Sequence, residues 1–326
     1  MSSQEPSKTP PPSLIDGDLV EAVRRSILEE PGIRHLGMTH LPSRDTVEEL
    51  VDLIREVVFP GFFGKRGLTP DRLELHVQEL LARIGLHAEE QIRSVLRYAS
   101  DLGPGQLDSS EADQRARETT RSFLEQIPEL RRLLALDVQA AYDGDPAARH
   151  PDETIFCYPG IEAIFAHRVA ALLYRTGVPL LPRIIQEMAH SRSGIDIHPG
   201  AQIGESFFID HGGAVVIGET TVIGDQVRIY QGVTLGAKRF DVDDKGRLLR
   251  DVTRKRHPTI GNRVTIYAGA VILGGRTEIG DDCVISGGVF VTESVPPGHV
   301  VRQHRPELSL RSHSSGMNGT GVDAGG

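Results

Sequence analysis

Asp196 and His211 stand fifteen residues apart in a stretch that reads IDIHPGAQIGESFFIDHGG. A histidine ring oriented by a carboxylate is the general-base half of a catalytic triad. A substrate hydroxyl needs such a base, because it is a poor nucleophile until its proton is removed and imidazole titrates close to neutrality. Asp210 adjoins His211 and, in an extended segment, points to the opposite face. There it either binds a substrate ammonium or faces water. Arg256 and His257, in RHPTIG, end a charged stretch, and the planar arginine cation suits a carboxylate. The plain alternatives are a solvated aspartate, a surface histidine and an exposed loop arginine. His198 lies in IHPG, where Pro199-Gly200 signal a turn, and is read as a turn residue. His198, His211 and His257 form no tight pair at ligand spacing, so no metal centre is expected. Neither GxxxxGK[ST] nor GxGxxG occurs in a strand–helix context.

The elements that must position these residues show in a period of six. Ile197, Ile203 and Ile209 set it, and Ile217, Ile223, Ile229 and Leu235 continue it after a shift of two residues. After a break, Ile260, Ile266 and Ile272 resume, and Ile279, Ile285 and Val291 follow one residue out of phase. Glycine follows the aliphatic residue again and again, as in Ile203-Gly204 and Ile223-Gly224. Hexapeptide repeats build a parallel β-helix. Three short strands make one triangular coil, and one aliphatic side chain per strand fills its interior. A coil takes about 18 residues, so residues fifteen apart can meet on adjacent turns. A chance run of such pairs is the alternative, and their common phase argues against it. The stretch 237–256 breaks the repeat and is too polar to fill a coil, so it should loop out. With Lys238, Arg239, Lys245, Arg247, Arg250, Arg254 and Lys255 it is locally basic, a flap over the site or a solvated loop without a role.

The expected fold class is therefore α+β: an N-terminal helical domain followed by a left-handed parallel β-helix. The expected divisions are a disordered 1–17, a helical 18–194, a β-helix over 195–304 with loop 237–256 extruded, and a flexible tail over 305–326. Val47, Leu50, Val51, Ile54, Val57 and Val58 follow the 3.6-residue period of a one-faced helix, with Asp45 and Glu48 as N-cap and capping-box partner. Thr69-Pro70 starts another helix, with Leu73, Val77, Leu80 and Leu81 on its apolar face. Further amphipathic stretches run near 88–101 and 127–142, and helices over 160–175 and 180–192 end at Gly177 and Gly194. The early helices either close a bundle or form an oligomer interface.

A net charge of −9 argues against a nucleic-acid protein. No run of about 18 apolar residues suggests a membrane span, and MSSQEPSKTPPPS lacks the apolar core of a secretory signal. Two cysteines, Cys157 and Cys283, indicate no disulfide framework. A cytoplasmic location is the simplest expectation.

From Asp145 to Val301 the chain resembles bacterial serine O-acetyltransferases. The resemblance is carried by DPAA at 145–148, DIHPGAQIG at 196–204, DHGGAVVIGETTVIG at 210–224, QGVTLG at 231–236, RHPTIG at 256–261 and AGAVILG at 268–274. It implies acetyl transfer from acetyl-CoA to the hydroxyl of L-serine, giving O-acetyl-L-serine, the first step towards cysteine. It implies His211 and Asp196 as the catalytic pair and Asp145, Asp210, Arg256 and His257 as serine-binding residues. Gly236, Ala237 and Ala268 fall in turns that line the acetyl-CoA cleft. Acetyl-CoA is a co-substrate, and no permanently bound cofactor is expected. L-cysteine is the expected feedback inhibitor, and a homotrimer, or a hexamer made of two trimers, the expected assembly.

Departures from the family pattern bear on two expectations. Ala237 stands where a second glycine often follows VTLG, which alters the backbone offered to the thioester. The chain closes on DAGG rather than isoleucine, which argues against docking into O-acetylserine sulfhydrylase. Two rival readings remain: a hexapeptide acyltransferase acting on a sugar or antibiotic hydroxyl, and a scaffold without catalysis. Asp145, Asp210 and Arg256 suit a zwitterionic amino acid better than a sugar.

Overall fold

The computed structural model describes residues 14–37, 40–102, 107–239, 242–249 and 254–303. The expectations for residues 1–13, for the tail 305–326 and for the last residues of the chain lie outside them. Two compact units are present, Met1–Leu41 and Pro42–Gly326. In the first, helix α1 (Gly17–Glu29) starts where Asp16 accepts the amide N–H of Leu19 at 2.8 Å, and a 3₁₀ turn follows at Pro31–Ile33.

The second unit opens with α2 (Arg44–Val58), α3 (Pro70–Leu102), α4 (Ser109–Glu125) and α5 (Ile127–Gly144). Then come α6 (Pro151–Cys157), α7 (Pro159–Arg175) and α8 (Leu181–Ser193). Val47, Leu50, Val51, Ile54, Val57 and Val58 are the buried stripe of α2, as their period predicts. The cap differs. Ser43, not Asp45, closes the N-terminus by accepting from Thr46 N, and Asp45 sits in the first turn, where it complements the helix dipole. Glu48 pairs with Arg192 instead of reaching back to the cap.

The stretches expected near 70–81 and 88–101 are one helix of 33 residues. Its buried face runs through His76, Leu80, Ile84, Ala88 and Ile92, while Leu73 lies outside it, 41% exposed. Nothing between 81 and 88 breaks a helix, and Gly85 costs only about 1 kcal/mol relative to alanine. Gly194 ends α8 in the left-handed conformation, φ 70°.

The strands between Asp196 and Val301 form a left-handed parallel β-helix. Its first face stacks β1 (Asp196–Ile197), β4 (Val216–Ile217), β7 (Thr234–Gly236), β10 (Val271–Leu273) and β13 (Phe290–Val291). The second stacks β2 (Gln202–Ile203), β5 (Val222–Ile223), β8 (Thr259–Ile260) and β11 (Glu278–Ile279). The third stacks β3 (Phe208–Ile209), β6 (Arg228–Ile229), β9 (Thr265–Ile266), β12 (Val284–Ile285) and β14 (Val300–Val301). Every pairing between these strands is parallel, and aliphatic meets aliphatic across the coils, as in Ile197 with Ile217 and Ile229 with Ile266. Ile197, Ile229, Leu235, Ile266, Ile272 and Ile285 are wholly buried. Between β7 and β8 the chain leaves the prism, and within the excursion Val242 and Leu248 form an antiparallel bridge over a turn held by Asp243.

Helices α5, α7 and α8 pack directly on the first coil. Asp137 of α5 and Arg168 of α7 make a buried two-point ion pair at 2.5 and 2.8 Å. Such a pair is tolerated only when its remaining valences are met. Asp137 also accepts the Phe207 amide N–H at 2.9 Å, and Arg168 donates to the Gly204 carbonyl at 2.8 Å, so the pair fixes the strand approach to β3.

Among the described residues no single helix is long and apolar enough to cross a membrane. The bent pair of α6 and α7 owes its apolarity to α7, a core helix. Both cysteines are free, Cys157 exposed and Cys283 buried.

Candidate active site

His211 lies in the turn that carries the chain from the third face to the first. On later coils this turn has four residues between strands, but between Ile209 and Val216 it has six. The extra length is the shift of two residues seen in the repeat. Accommodating it puts His211 at φ 56°, Gly212 at 82° and Ala214 at 62°. A non-glycine residue in this region is uncommon, and strain of this kind gathers at functional sites. The turn is nailed to the start of β1: Ala214 N donates to Gly194 O at 2.9 Å, and a Cβ on Gly212 would lie 2.3 Å from the Ile195 side chain. The His211 ring stands 74% exposed.

Because of the positive φ, Asp210 does not point away from His211, as an extended segment would require. Its Oδ1 lies 3.9 Å from His211 Nε2. Asp145 joins them from the end of α5. Gly144 makes this possible, since a Cβ there would strike the Phe208 ring at 2.6 Å, and α5 can therefore end directly on β3. Asp145 Oδ1 accepts the Ala147 amide N–H at 2.8 Å, and Oδ2 accepts the Tyr158 hydroxyl at 2.5 Å. The Tyr158 hydroxyl, the Ala147 amide and the nearby His211 hold the Asp145 carboxyl below the usual range.

Asp196 is on β1, half-buried. Among the described residues no hydrogen bond or ion pair joins it to His211. Its carboxylate instead shares a space 4.8 Å across with the Glu187 carboxylate and a His190 ring nitrogen, both from α8. These are donor types that bind metals, although none of the three histidines weighed for a metal from sequence takes part.

Arg256 and His257 lie on a different edge, between the first and second faces. His257 is buried beneath Gly218, where a Cβ would meet the imidazole at 2.1 Å. Its Nδ1 accepts the Thr220 amide N–H at 3.0 Å, while Thr220 Oγ1 accepts the amides of Arg256 and His257 at 2.9 and 3.0 Å. Burial, then the neighbouring Arg256 charge, push His257 down to about 4, so it is a neutral ring with its proton on Nε2. Arg256 pairs with Glu219, which also accepts the Tyr174 hydroxyl at 2.7 Å. His198 holds its own turn, Nδ1 accepting from Gly200 N at 3.0 Å, and stacks edge-on against Tyr174.

Gly236 ends β7 on this same edge, where a Cβ would press on Leu273 at 2.8 Å, and Ala237 follows it. Ala268 is on the His211 edge, two coils further on, its carbonyl accepting from Gly288 N at 2.9 Å. The sequence-derived residues thus divide. Asp145, Asp210, His211 and Ala268 line one edge of the first face. Arg256, His257, Gly236 and Ala237 line the other, and Asp196 lies on the face between. Tyr158, Glu219, Tyr174 and Thr220 belong to these clusters and were not reached from sequence. The repeat gives Glu219 and Thr220 no distinguishing feature, while Tyr158 meets Asp145 only through a helix joint that no local pattern reveals.

The fold and its six-residue aliphatic period define a hexapeptide-repeat protein. No family model matches the chain. The plasmid serine acetyltransferase of Synechococcus elongatus is 48% identical over 265 residues, 81% of this chain and 82% of that protein. The structure of Entamoeba histolytica serine acetyltransferase 1 in complex with L-cysteine aligns with TM-score 0.67 at 34% identity, over 81% of this chain and 87% of that one. Neisseria gonorrhoeae serine acetyltransferase in complex with serine aligns with TM-score 0.50 at 28% identity, over 79% and 97%. The chain belongs to the serine acetyltransferase family, and its reaction is the O-acetylation of L-serine.

Proposed function

We propose that acetyl transfer takes place between two copies of this chain, with His211 of one as general base. The observation that carries this reading is the separation of the candidate residues onto two edges of one prism face. Asp145, Asp210 and His211 offer anionic acceptors and a base, but no cation for the serine carboxylate. Arg256 supplies one on the opposite edge. Packing prisms around a threefold would bring one copy's His211 edge against its neighbour's Arg256 edge. A trimer is therefore the smallest assembly the reading requires.

In that cleft His211 takes the serine hydroxyl proton as the oxygen attacks the thioester carbonyl of acetyl-CoA. The oxyanion collapses, the C–S bond breaks, and His211 returns the proton to the departing thiolate. Asp196 orients the imidazole after the exposed His211 side chain rotates towards β1, against which its turn is already packed. The backbone around Gly236 and Ala237 from one edge and Ala268 from the other lines the acetyl-CoA path. Direct transfer is favoured over an acyl-enzyme, since among the described residues no serine or cysteine is hydrogen-bonded to His211.

L-cysteine shares the ammonium and carboxylate of serine and differs only where the thiol replaces the hydroxyl. It should therefore compete for the same groups. The cysteine complex of the Entamoeba relative supports this. Thiol release from acetyl-CoA with L-serine, set against homoserine and sugars, tests the reading. Equal rates with a sugar would overturn the serine assignment, and cysteine inhibition that serine does not relieve would overturn the shared site.

A further inference from the structure

We propose that Tyr158 is a positioning residue of the serine site: its hydroxyl fixes the Asp145 carboxylate beside His211 in the orientation that receives the substrate ammonium. This rests on the reading of Asp145 as a serine-binding residue.

Asp145 follows the last residue of α5, where one rotation about its side chain would turn the carboxylate away from His211. Two donors prevent this. Ala147 N–H takes Oδ1 and the Tyr158 hydroxyl takes Oδ2. Each oxygen keeps a lone pair for an incoming ammonium, which has three hydrogens to donate.

The hydroxyl itself is rigidly placed. Tyr158 is the joint between α6 and α7. Its amide donates to Thr154 O at 3.2 Å, closing α6, and its carbonyl accepts Ile161 N at 3.1 Å, opening α7. The next glycine, Gly160, sits so close to β3 that a Cβ would lie 2.3 Å from the Ile209 carbonyl oxygen. Ile209 immediately precedes Asp210 and His211. One short path therefore runs from the His211 turn through Ile209 and Gly160 to Tyr158, and from its hydroxyl back to Asp145. The phenol proton is secure: Asp145, burial, Glu153 and Asp210 all push its loss far above the ordinary range. The hydroxyl is thus the donor to Asp145.

A purely structural role for this ring is the competing account, since Tyr158 also packs against the core. Tyr158→Phe separates the two, because it keeps the ring and deletes the hydroxyl. Steady-state kinetics would be measured for Tyr158→Phe and for Asp145→Asn, with both substrates varied and melting temperatures recorded. A hydrogen bond to a charged group is worth about tenfold or more in affinity. Serine KM should rise about tenfold in Tyr158→Phe, with kcat and the acetyl-CoA KM within about twofold, the pattern of lost binding common to ground and transition states. An unchanged serine KM in Tyr158→Phe, with a raised one in Asp145→Asn, overturns the proposal and leaves the serine reading standing. An unchanged serine KM in Asp145→Asn overturns the serine reading of that residue, and the proposal with it. A lower melting temperature with both KM values and kcat degraded alike makes Tyr158 a packing residue only, and also overturns it.

Discussion

Oδ1 of Asp210 lies 3.9 Å from Nε2 of His211, two adjacent side chains brought to the same side by a backbone at φ 56°. Had the segment run on as strand, the pair would have pointed to opposite faces of the prism. The two-residue insertion after Ile209 therefore does more than lengthen a corner. It gathers an imidazole and a carboxylate on one edge and leaves the ring outside the packed interior.

Replacing His211 by alanine should abolish turnover and spare the fold. The ring is 74% exposed and its loss opens no core cavity. Loss of a general base costs about 10²–10⁴ in rate, while an exposed truncation usually changes stability by less than about 0.5 kcal/mol. Asp196→Asn should cost less, because the base survives and only its orientation suffers. Initial rates beside circular dichroism melts check both, and near-normal kcat without His211 would remove it from the chemistry.

Much of this arrangement was legible in sequence because a β-helix writes its fold in one repeating position. The six-residue aliphatic period marks every strand from Ile197 to Val291, and its interruptions mark where the molecule departs from a plain prism. The phase shift between Ile209 and Ile217 is the His211 turn. The one-residue slip between Ile272 and Ile279 is the corner where Gly275 presses on the Lys255 carbonyl, a Cβ there falling 2.2 Å from it. The helices were harder. The α3 stretch reads as two helices because between Leu81 and Ala88 its buried face passes through Ile84 alone, while Gly85 and the exposed Leu86 blur the apolar pattern. Which edge of the prism a residue occupies is a property of stacking, so the parting of His211 from Arg256 could not be seen in any local pattern.

Acid should destabilise the protein well above the range in which ordinary carboxylates titrate. Burial lowers His257 to about 4 and His167 to about 3, against an ordinary value near 6.5. The unfolded chain therefore binds protons that the folded chain refuses. The stabilisation is complete above about pH 6.5 and is lost progressively as pH falls towards 4. Asp137, whose carboxyl is raised by burial, works in the opposite direction. Melting temperatures taken from pH 7.5 to 4.5 should fall continuously below pH 6.5. A flat profile down to pH 5 would show that these rings accept protons without unfolding.

Gly160→Ala should damage both stability and activity, although alanine is the better helix former by about 1 kcal/mol. The added methyl would lie 2.3 Å from the Ile209 carbonyl oxygen, a backbone atom that cannot rotate aside. Overpacking of this kind costs about 1–3 kcal/mol, so the clash should outweigh the propensity. The displaced atom precedes Asp210 and His211, and kcat should fall along with the melting temperature. Gly85→Ala is the control: its Cβ would meet only Leu124 Cδ1 at an ordinary 3.5 Å, and it should be neutral or stabilising.

Two inactive variants should restore one another if the site spans two copies of the chain. His211→Ala ruins one edge of the prism and Arg256→Ala the other, and each alone should give an assembly without a complete site. In mixed assemblies some clefts will pair the intact His211 edge of one copy with the intact Arg256 edge of its neighbour. Random mixing in equal amounts makes about a quarter of the clefts whole in a cyclic assembly. Activity after dissociation and joint reassembly should therefore approach about a quarter of the unmodified protein's value, with each variant reassembled alone remaining inactive. Coexpression with two different affinity tags gives a second route to the same mixed species. If the mixed assemblies are confirmed by mass yet stay inactive, both edges must act within one chain.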